Sequence, residues 1–312
     1  MLAATRQSPL ALWQTRHVAS LLVSAGVADR VEELVVSTSG DRRRNTPIQA
    51  MGGKGVFSKE VQQAVLDGRA DIAVHSAKDL TSVTPDGLVL ASVPQRGDSR
   101  DALVGTRLGD LPEGARVATG SVRRRAQLAW HRADLVFSDL RGNIATRLGK
   151  ARQFDAIVMA MAAVERLELD VEVLDPLDHG VMVPQVAQGA LAIECRADDH
   201  DTLAALGAIE DPAARRVVDT ERAFLAELGG DCTLPAGAIA VLRDAADTDG
   251  DGDSDGSIEL VAMLASLDGR TLLRQQRRGS DPDFLGRSTA RSLLDDSGGH
   301  ALLAEARRAG SA

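Results

Sequence analysis

The chain has 312 residues, of which 44% are hydrophobic and 26% are charged, and its net formal charge is −9. This composition excludes a disordered chain and is sufficient for two or three domains with cores of their own. The acidic charge argues against nucleic acid as a partner, because the phosphate backbone attracts basic surfaces. Residues 1–6 lack the layout of a signal peptide, and no segment stays apolar over about eighteen residues. We therefore expect a cytoplasmic protein without membrane association.

The first part of the chain, from residue 2 to about residue 93, alternates short apolar segments with segments of helical period. This pattern predicts an α/β domain with a parallel sheet. Residues 34–36 and 71–75 are predicted to be buried strands. Val61, Ala64 and Val65 fall on one face of a helix between them.

A second α/β unit is predicted after the polar segment 95–100, which we interpret as a crossover. Its strands are expected at residues 116–119, 135–137 and 156–159, each followed by a helix. Residues 191–193 are then expected to form a strand that returns to the first sheet.

The last hundred residues differ in pattern and predict a small α+β domain. A helix is expected over residues 213–228, strands near 238–241 and 258–266, a hairpin turn at Asp268-Gly269, and helices from Phe284. The predicted domains are residues 1–93 with 189–209, residues 97–185, and residues 213–312.

No metal site is expected from the spacing of the potential ligands. The six histidines are scattered without the spacing of a metal site. The acidic segment 244–257 resembles the start of an EF-hand loop, but Ile258 stands where a bidentate glutamate is required. We interpret this segment as a solvated loop.

The two cysteines, Cys195 and Cys232, are too few for a disulfide scaffold and fit a reducing compartment. Cys195 ends an apolar strand and is expected to be an inert core thiol. Cys232 lies in a Gly-rich loop between a predicted helix and strand, where a thiol can be exposed and can reach a neighbouring cleft.

Basic and hydroxyl residues follow nearly every predicted strand of both α/β units. They lie at residues 5–8, 76–79, 119–125 and 140–143 and at Arg166. In open α/β sheets the ligand crevice lies at the carboxyl ends of the strands. All but four of the 36 basic residues are arginine, whose planar fork binds carboxylates at two points. The sequence therefore predicts a cleft that binds a polycarboxylate.

Several of these segments allow more than one interpretation. Residues 42–44 are either a solvated basic run or an anion site. Residues 123–125 open a helix, where a bound anion would offset their unfavourable interaction with the helix dipole. Lys54 lies in a Gly-rich segment that lacks the ending of a nucleotide P-loop, and it is expected to meet a carboxylate. Asp79, beside Lys78, is either a helix cap or a functional carboxylate.

Six segments, taken in order, resemble signatures of the hydroxymethylbilane synthase (porphobilinogen deaminase) family. They are residues 5–14, 52–57, 75–79, 140–143, 188–190 and 232–235. The resemblance implies two α/β domains like those of type II periplasmic binding proteins, plus a small third domain. It also implies a transferase that joins four porphobilinogen molecules into a linear tetrapyrrole on a covalent dipyrromethane cofactor.

The resemblance extends to individual residues. It implies that Asp79 is catalytic and that Cys232 carries the cofactor. The residues implied to bind cofactor or substrate are Arg6, Ser8, Lys54, Phe57, Ser76, Lys78, Thr119, Ser121, Arg123, Arg124, Arg141, Arg147, Arg166 and Gln188.

The sequence departs from the family pattern at Thr81, Gly120 and Asp231. Of these, Asp231 places a negative charge beside Cys232, which would raise the pKa of its thiol. We expect a monomer with porphobilinogen as its partner. The alternatives are a non-catalytic bilobal anion-binding protein and an enzyme that forms a Schiff base on Lys54 or Lys78.

Overall fold

The computed structural model describes residues 1–42, 55–229, 234–243 and 256–311. Lys54 and Cys232 lie outside the described residues, as does most of the basic run 42–44. The strands in this part of the chain are β1 (Leu2–Arg6), β2 (Glu32–Val36), β3 (Ile72–Ser76), β4 (Leu88–Ser92), β5 (Asp101–Val104), β6 (Arg116–Ala118), β7 (Val136–Ser138), β8 (Ala156–Ala160), β9 (Leu174–Leu177), β10 (Leu191–Arg196), β11 (Ala236–Leu242), β12 (Ile258–Ala265) and β13 (Leu272–Gly279). The helices are α1 (Pro9–Ser24), α2 (Ser39–Arg42), α3 (Lys59–Leu66), α4 (Val122–His131), α5 (Ile144–Gly149), α6 (Met161–Arg166), α7 (His200–Gly207), α8 (Pro212–Glu227), α9 (Pro282–Arg291) and α10 (Gly299–Ser311).

The first sheet has the strand order β2-β1-β3-β10-β4. Strands β1, β2 and β3 are parallel, whereas β10 is antiparallel to both β3 and β4. The sheet is therefore mixed and not wholly parallel as predicted, because β10 enters from the opposite direction when the chain returns. The return strand itself is confirmed.

Strand β2 is an edge strand, so the prediction that residues 34–36 are buried is wrong. It pairs only with β1 among the described strands, and 51% of Val35 is exposed. A run of β-branched and aliphatic residues gives the same pattern at an edge as in a sheet centre, because both favour these side chains.

The second sheet repeats the arrangement of the first. Its order is β7-β6-β8-β5-β9, with β6, β7 and β8 parallel and β5 antiparallel to β8 and β9. In each sheet the antiparallel strand is the one that has just crossed from the other α/β unit. The predicted type II arrangement of two α/β domains is confirmed by this shared order.

The two crossover segments run side by side between the sheets. The N–H of Gly97 donates to the carbonyl of Gly189 at 3.1 Å. Gly189 has φ +86°, and a Cβ there would lie 2.5 Å from the Gly97 oxygen. Only glycine fits this position, because both the backbone conformation and the close approach exclude a side chain.

The third sheet is an antiparallel meander of β11, β12 and β13, covered by α8 and α9. Its core includes Phe224 and Leu260, both fully buried. The predicted hairpin at Asp268-Gly269 is confirmed, and the Asp268 carboxylate accepts hydrogen bonds from Ser266 Oγ and the Arg270 N–H. The small C-terminal α+β fold is thus confirmed.

Cys195 lies in β10 and is fully buried. Burial, followed by the nearby negative charge of Asp199, raises the pKa of its thiol to about 11. The reactive thiolate is disfavoured there, which confirms the prediction of an inert core thiol.

Candidate active site

The polar segments predicted at the strand ends lie where strands give way to helices. Ser8 caps α1, accepting a hydrogen bond from the Ala11 N–H at 3.2 Å, and Ser121 caps α4, accepting one from the Arg124 N–H at 3.4 Å. A hydroxyl that accepts as a cap keeps its own hydrogen to donate. Ser8 and Ser121 can therefore both fix the helix start and donate to a ligand.

Lys78 and Asp79 lie in a short 3₁₀ helix, Ala77–Asp79, that follows β3. Within the described residues Asp79 caps no helix, so the alternative of a helix cap is not observed. Its charge acts on Lys78 and on Arg147, which belongs to α5 of the second domain. Asp79 is thus a carboxylate placed between cations of two domains.

The Lys78 ammonium donates to Gln188 Oε1 at 3.2 Å. Burial and the positive charge of Arg124 lower the pKa of Lys78 to about 8, while Asp79 and Asp101 act in the opposite direction. Burial is the largest of these effects, so the lowered pKa reflects mainly the loss of water around this ammonium.

Arg123 and Arg124 are buried and share one carboxylate, that of Asp101. Arg123 Nη1 lies 2.8 Å from Asp101 Oδ2, and Arg124 donates to Asp101 Oδ1 from Nη2 at 2.6 Å and from Nε at 3.0 Å. Asp101 is fully buried. Burial alone would raise its pKa, but the charges of Arg123 and Arg124 hold the pKa of Asp101 well below its usual range.

The sequence-based reasoning missed Asp101. The available signal was an aspartate at the start of the apolar strand β5, since a buried carboxylate requires a cationic partner. We predicted an anion bound by the arginines at the start of α4. The Asp101 carboxylate of the chain itself fills part of that role.

Three further predicted arginines lie on the second-domain side of the cleft. Arg147 Nε donates to the Gly142 carbonyl at 2.9 Å, and burial together with Arg124 lowers its pKa to about 10. Arg141 lies 3.5 Å from Asp139, and its charge also acts on Arg147. The third of these arginines, Arg166, contacts residues of the first domain.

Arg166 connects the two α/β domains. Its Nη2 donates to the Gly189 carbonyl at 2.6 Å, and its guanidinium carbon lies 5.5 Å from the centre of the Trp13 ring on α1. This cation–π contact packs α1 of the first domain against α6 of the second.

The remaining predicted residues make contacts with neighbouring side chains and backbone groups. The Arg6 guanidinium lies over the Phe57 ring at 4.2 Å, and Ser76 Oγ accepts from Gln14 Nε2 at 2.8 Å. Thr119 Oγ1 accepts from the Ser121 N–H at 3.2 Å. Gln188 is only 1% exposed, and both ends of its amide bond to the protein.

No group of three or more His, Cys, Asp or Glu residues suited to a metal ion occurs among the described residues. In the same part of the chain no helix is long and apolar enough to cross a membrane.

Two α/β domains of equal strand order, joined by paired crossovers and with buried arginines near their junction, define a bilobal protein of the type II periplasmic-binding-protein arrangement. Comparison with known proteins specifies the family. Residues 1–204 match the model "Porphobilinogen deaminase, dipyromethane cofactor binding domain", and residues 216–295 match "Porphobilinogen deaminase, C-terminal domain". The chain belongs to the porphobilinogen deaminase family, transferases of tetrapyrrole biosynthesis also called hydroxymethylbilane synthases.

Curated relatives match almost the whole chain. The porphobilinogen deaminase of Roseiflexus castenholzii is 46% identical over 309 residues, covering 96% of this chain and 97% of the relative. That of Brevibacillus brevis is 40% identical over 303 residues, covering 96% and 95%. The predicted family, transferase class and dipyrromethane cofactor are therefore confirmed.

The solved structures that match this chain include "Ancestral Cationic Amino Acid Solute Binding Protein (AncCDT-1)". The two sequences are 14% identical. The match covers 67% of this chain and 86% of the solved chain, with a TM-score of 0.38.

Proposed function

We propose that this chain joins four porphobilinogen molecules head to tail, releasing ammonia at each addition, and that hydrolysis by water releases the linear tetrapyrrole as hydroxymethylbilane. The observation that carries this proposal is the position of Asp79, one carboxylate among Lys78, Arg124 and Arg147 at the meeting point of the two α/β domains. Each of these cations can bind a carboxylate of the substrate, and the Asp79 carboxylate can accept a hydrogen bond from a pyrrole N–H.

The charge balance of the site fits a bound dipyrromethane. Four cationic side chains interact through their charges with the two acids Asp79 and Asp101. The cations are Lys78, Arg123, Arg124 and Arg147. Arg123 Nε is buried without a hydrogen-bond partner in the described part of the chain. When bound, the dipyrromethane supplies the pyrrole end to which new units are added, and its acetate and propionate groups balance this positive charge.

Asp79 is proposed to act on the substrate electrostatically. Loss of ammonia from porphobilinogen leaves a methylene-pyrrole cation, whose single ring N–H is a donor. A fixed carboxylate that accepts from this N–H stabilises the cation most where water is excluded. Lys78 and the arginines hold the side-chain carboxylates and thereby orient each ring.

Cys232 is proposed as the attachment residue for the dipyrromethane, by a thioether. It lies outside the described residues, in the segment between α8 and β11. Immediately after this segment, the N–H of Ala238 donates to the Pro184 carbonyl at 3.1 Å, and a Cβ on Gly237 would lie 3.1 Å from Arg123 Cδ. Cys232 lies five residues before Gly237 in the sequence, so at most about 18 Å of chain separates the two.

The domain division is proposed to follow the predicted boundaries, with residues 1–93 and 189–209, residues 97–185, and residues 213–312 as the three units. The placement of β10 in the first sheet and of β5 in the second supports this division. We further propose a monomer in the cytoplasm, acting on a small molecule and not on nucleic acid, which the net charge of −9 supports.

The decisive test is the pyrrole content of the purified chain. An acidic aldehyde reagent should give the colour of a dipyrromethane, and intact mass should show the same adduct. Cys232→Ser should lose both signals, and Cys195→Ser should keep both. A colourless chain that still binds carboxylates would favour the non-catalytic anion-binding alternative.

A further inference from the structure

The guanidinium of Arg124 is held on one edge by the protein itself. Its Nε and Nη2 atoms both donate to Asp101 Oδ1, and its Nη1 donates to the Val158 carbonyl at 3.1 Å. Three of the five N–H groups of the side chain are used in this way, and two are left for a ligand. The direction of those two N–H groups is fixed, because a guanidinium is planar and each of its three nitrogens already donates one hydrogen bond to the protein.

Asp101 is in turn held by the crossover that carries Gln188. Gln188 Nε2 donates to Asp101 Oδ1 at 2.9 Å and to the Ser99 carbonyl at 2.9 Å, while its Oε1 accepts from Lys78. Asp101 is 0% exposed and Gln188 is 1% exposed. Neither side chain is therefore available to contact a ligand directly.

These contacts form a continuous chain from Lys78 in the first α/β domain, through Gln188 on the returning crossover and Asp101 at the start of β5, to Arg124 at the start of α4 in the second. Resting on the proposed function, we infer that Asp101 is a positioning residue: it fixes the Arg124 guanidinium so that its free N–H groups meet a cofactor carboxylate at a set distance from Lys78. Asp101 acts through Arg124 and touches neither cofactor nor substrate.

The inference is tested by a double-mutant cycle on cofactor loading. The variants are Asp101→Asn, Arg124→Leu and the two together. Each is incubated cofactor-free with porphobilinogen, and the gain of pyrrole colour and of intact mass is followed. Loading by Asp101→Asn should be roughly ten- to a hundredfold slower, as for lost orienting partners of metal ligands. Asp98→Asn is the matched control, since Asp98 lies three residues before Asp101 and pairs with Arg100 at 2.6 Å rather than with Arg124.

If Asp101 acts through Arg124, then Asp101→Asn should have little further effect once Arg124 is Leu. Additive losses, with Arg124→Leu itself deficient in loading, would overturn the positioning role and leave the proposed function standing. Normal loading by Arg124→Leu would overturn the role of Arg124 in cofactor binding and with it the inference, whereas failure of the unaltered chain to load would overturn the proposed function.

Asp101→Asn leaves two buried arginines without a counter-ion, so the variant is at risk of not folding. The same cycle is then made in an Arg123→Gln background, where losing Asp101 restores the net charge that the three residues have in the unaltered chain. Circular dichroism and the denaturant midpoint establish that each variant is folded. The same non-additivity is expected there, and additivity again contradicts the inference.

Discussion

Lys78 Nζ donates to Gln188 Oε1 at 3.2 Å, so the ammonium beside Asp79 is held by the segment that returns the chain from the second α/β domain. The reactive end of the first domain and the connection between the domains are therefore fixed to each other. A substitution in the returning crossover is therefore expected to alter the position of Lys78, and a substitution at Lys78 to alter the crossover.

Asp79→Asn preserves the shape of the side chain and removes its charge. If Asp79 stabilises the cation formed on deamination, turnover of porphobilinogen should fall by on the order of 10²- to 10³-fold. Asp79→Glu retains the charge and should keep more activity than Asn. Turnover is measured on variants matched for pyrrole content, with the exposed Asp86→Asn as control. Near-normal turnover by Asp79→Asn would remove this carboxylate from the reaction.

Lys78 should give the loading reaction an alkaline limb. Its pKa of about 8 means that the cofactor-free chain loses this positive charge as the pH rises through 8. The groups that act on it are Arg123, Arg124, Asp79 and Asp101. Initial loading rates should fall above pH 8, and Lys78→Arg, which stays charged, should remove that fall. A limb that persists unchanged in Lys78→Arg would assign it to another group.

The same pKa has a consequence for stability with the opposite trend. The unfolded chain binds a proton at Lys78 up to its ordinary pKa of 10.5, whereas the folded, cofactor-free chain releases it near 8. Between these values the unfolded state binds more protons, so the Lys78 contribution to the free energy of unfolding rises with pH. Below pH 8, where Lys78 is charged in both states, burial of its ammonium lowers the free energy of unfolding by its full amount.

The strand-end cations were predictable because the sequence places them directly after apolar runs, and the carboxyl ends of parallel strands meet at one edge. The partner of Arg124 was not predictable in the same way. Asp101 is the first residue of β5, and its contact with Arg124 depends on how β5 and α4 pack within the second domain rather than on any local period. Gln188 was predicted as a residue of the cleft from family resemblance, but both ends of its amide are occupied within the protein.

Gly189→Ala should destabilise the chain by about 2 kcal/mol or more, because a Cβ would lie 2.5 Å from the Gly97 oxygen and φ is +86°. Gly68→Ala is the matched control, since Gly68 has φ +69° with nothing within 4 Å of an added Cβ. The control should cost only the backbone strain, about 1 kcal/mol. Urea unfolding measures both, and equal losses would show that close approach at Gly189 is unimportant.

Glu221→Gln should also be strongly destabilising. The Glu221 carboxylate is fully buried and accepts from Arg96 Nη1 at 2.7 Å, from the Ala187 N–H at 2.6 Å and from the Ala240 N–H at 2.9 Å. Removing its charge leaves Arg96 unpaired in a nearly buried position, at a cost of about 3–5 kcal/mol.

The control is Glu227→Gln on the same helix, whose partners Arg287 and Arg291 are well exposed. Exposed pairs contribute about 1 kcal/mol or less. If the two variants unfold at the same denaturant concentration, Glu221 does not join the third domain to the crossovers as the contacts indicate.

The position of β10 has a consequence for the order in which the chain can fold. This strand lies between β3 and β4, and its first residue, Leu191, pairs with Ser76, more than a hundred residues earlier. During synthesis, the first sheet therefore stays open at its centre until the second domain has been made and residue 196 has left the ribosome. Such non-local pairing slows folding and exposes strand edges in the meantime. The first domain is begun first, yet it can be completed only after the second has formed.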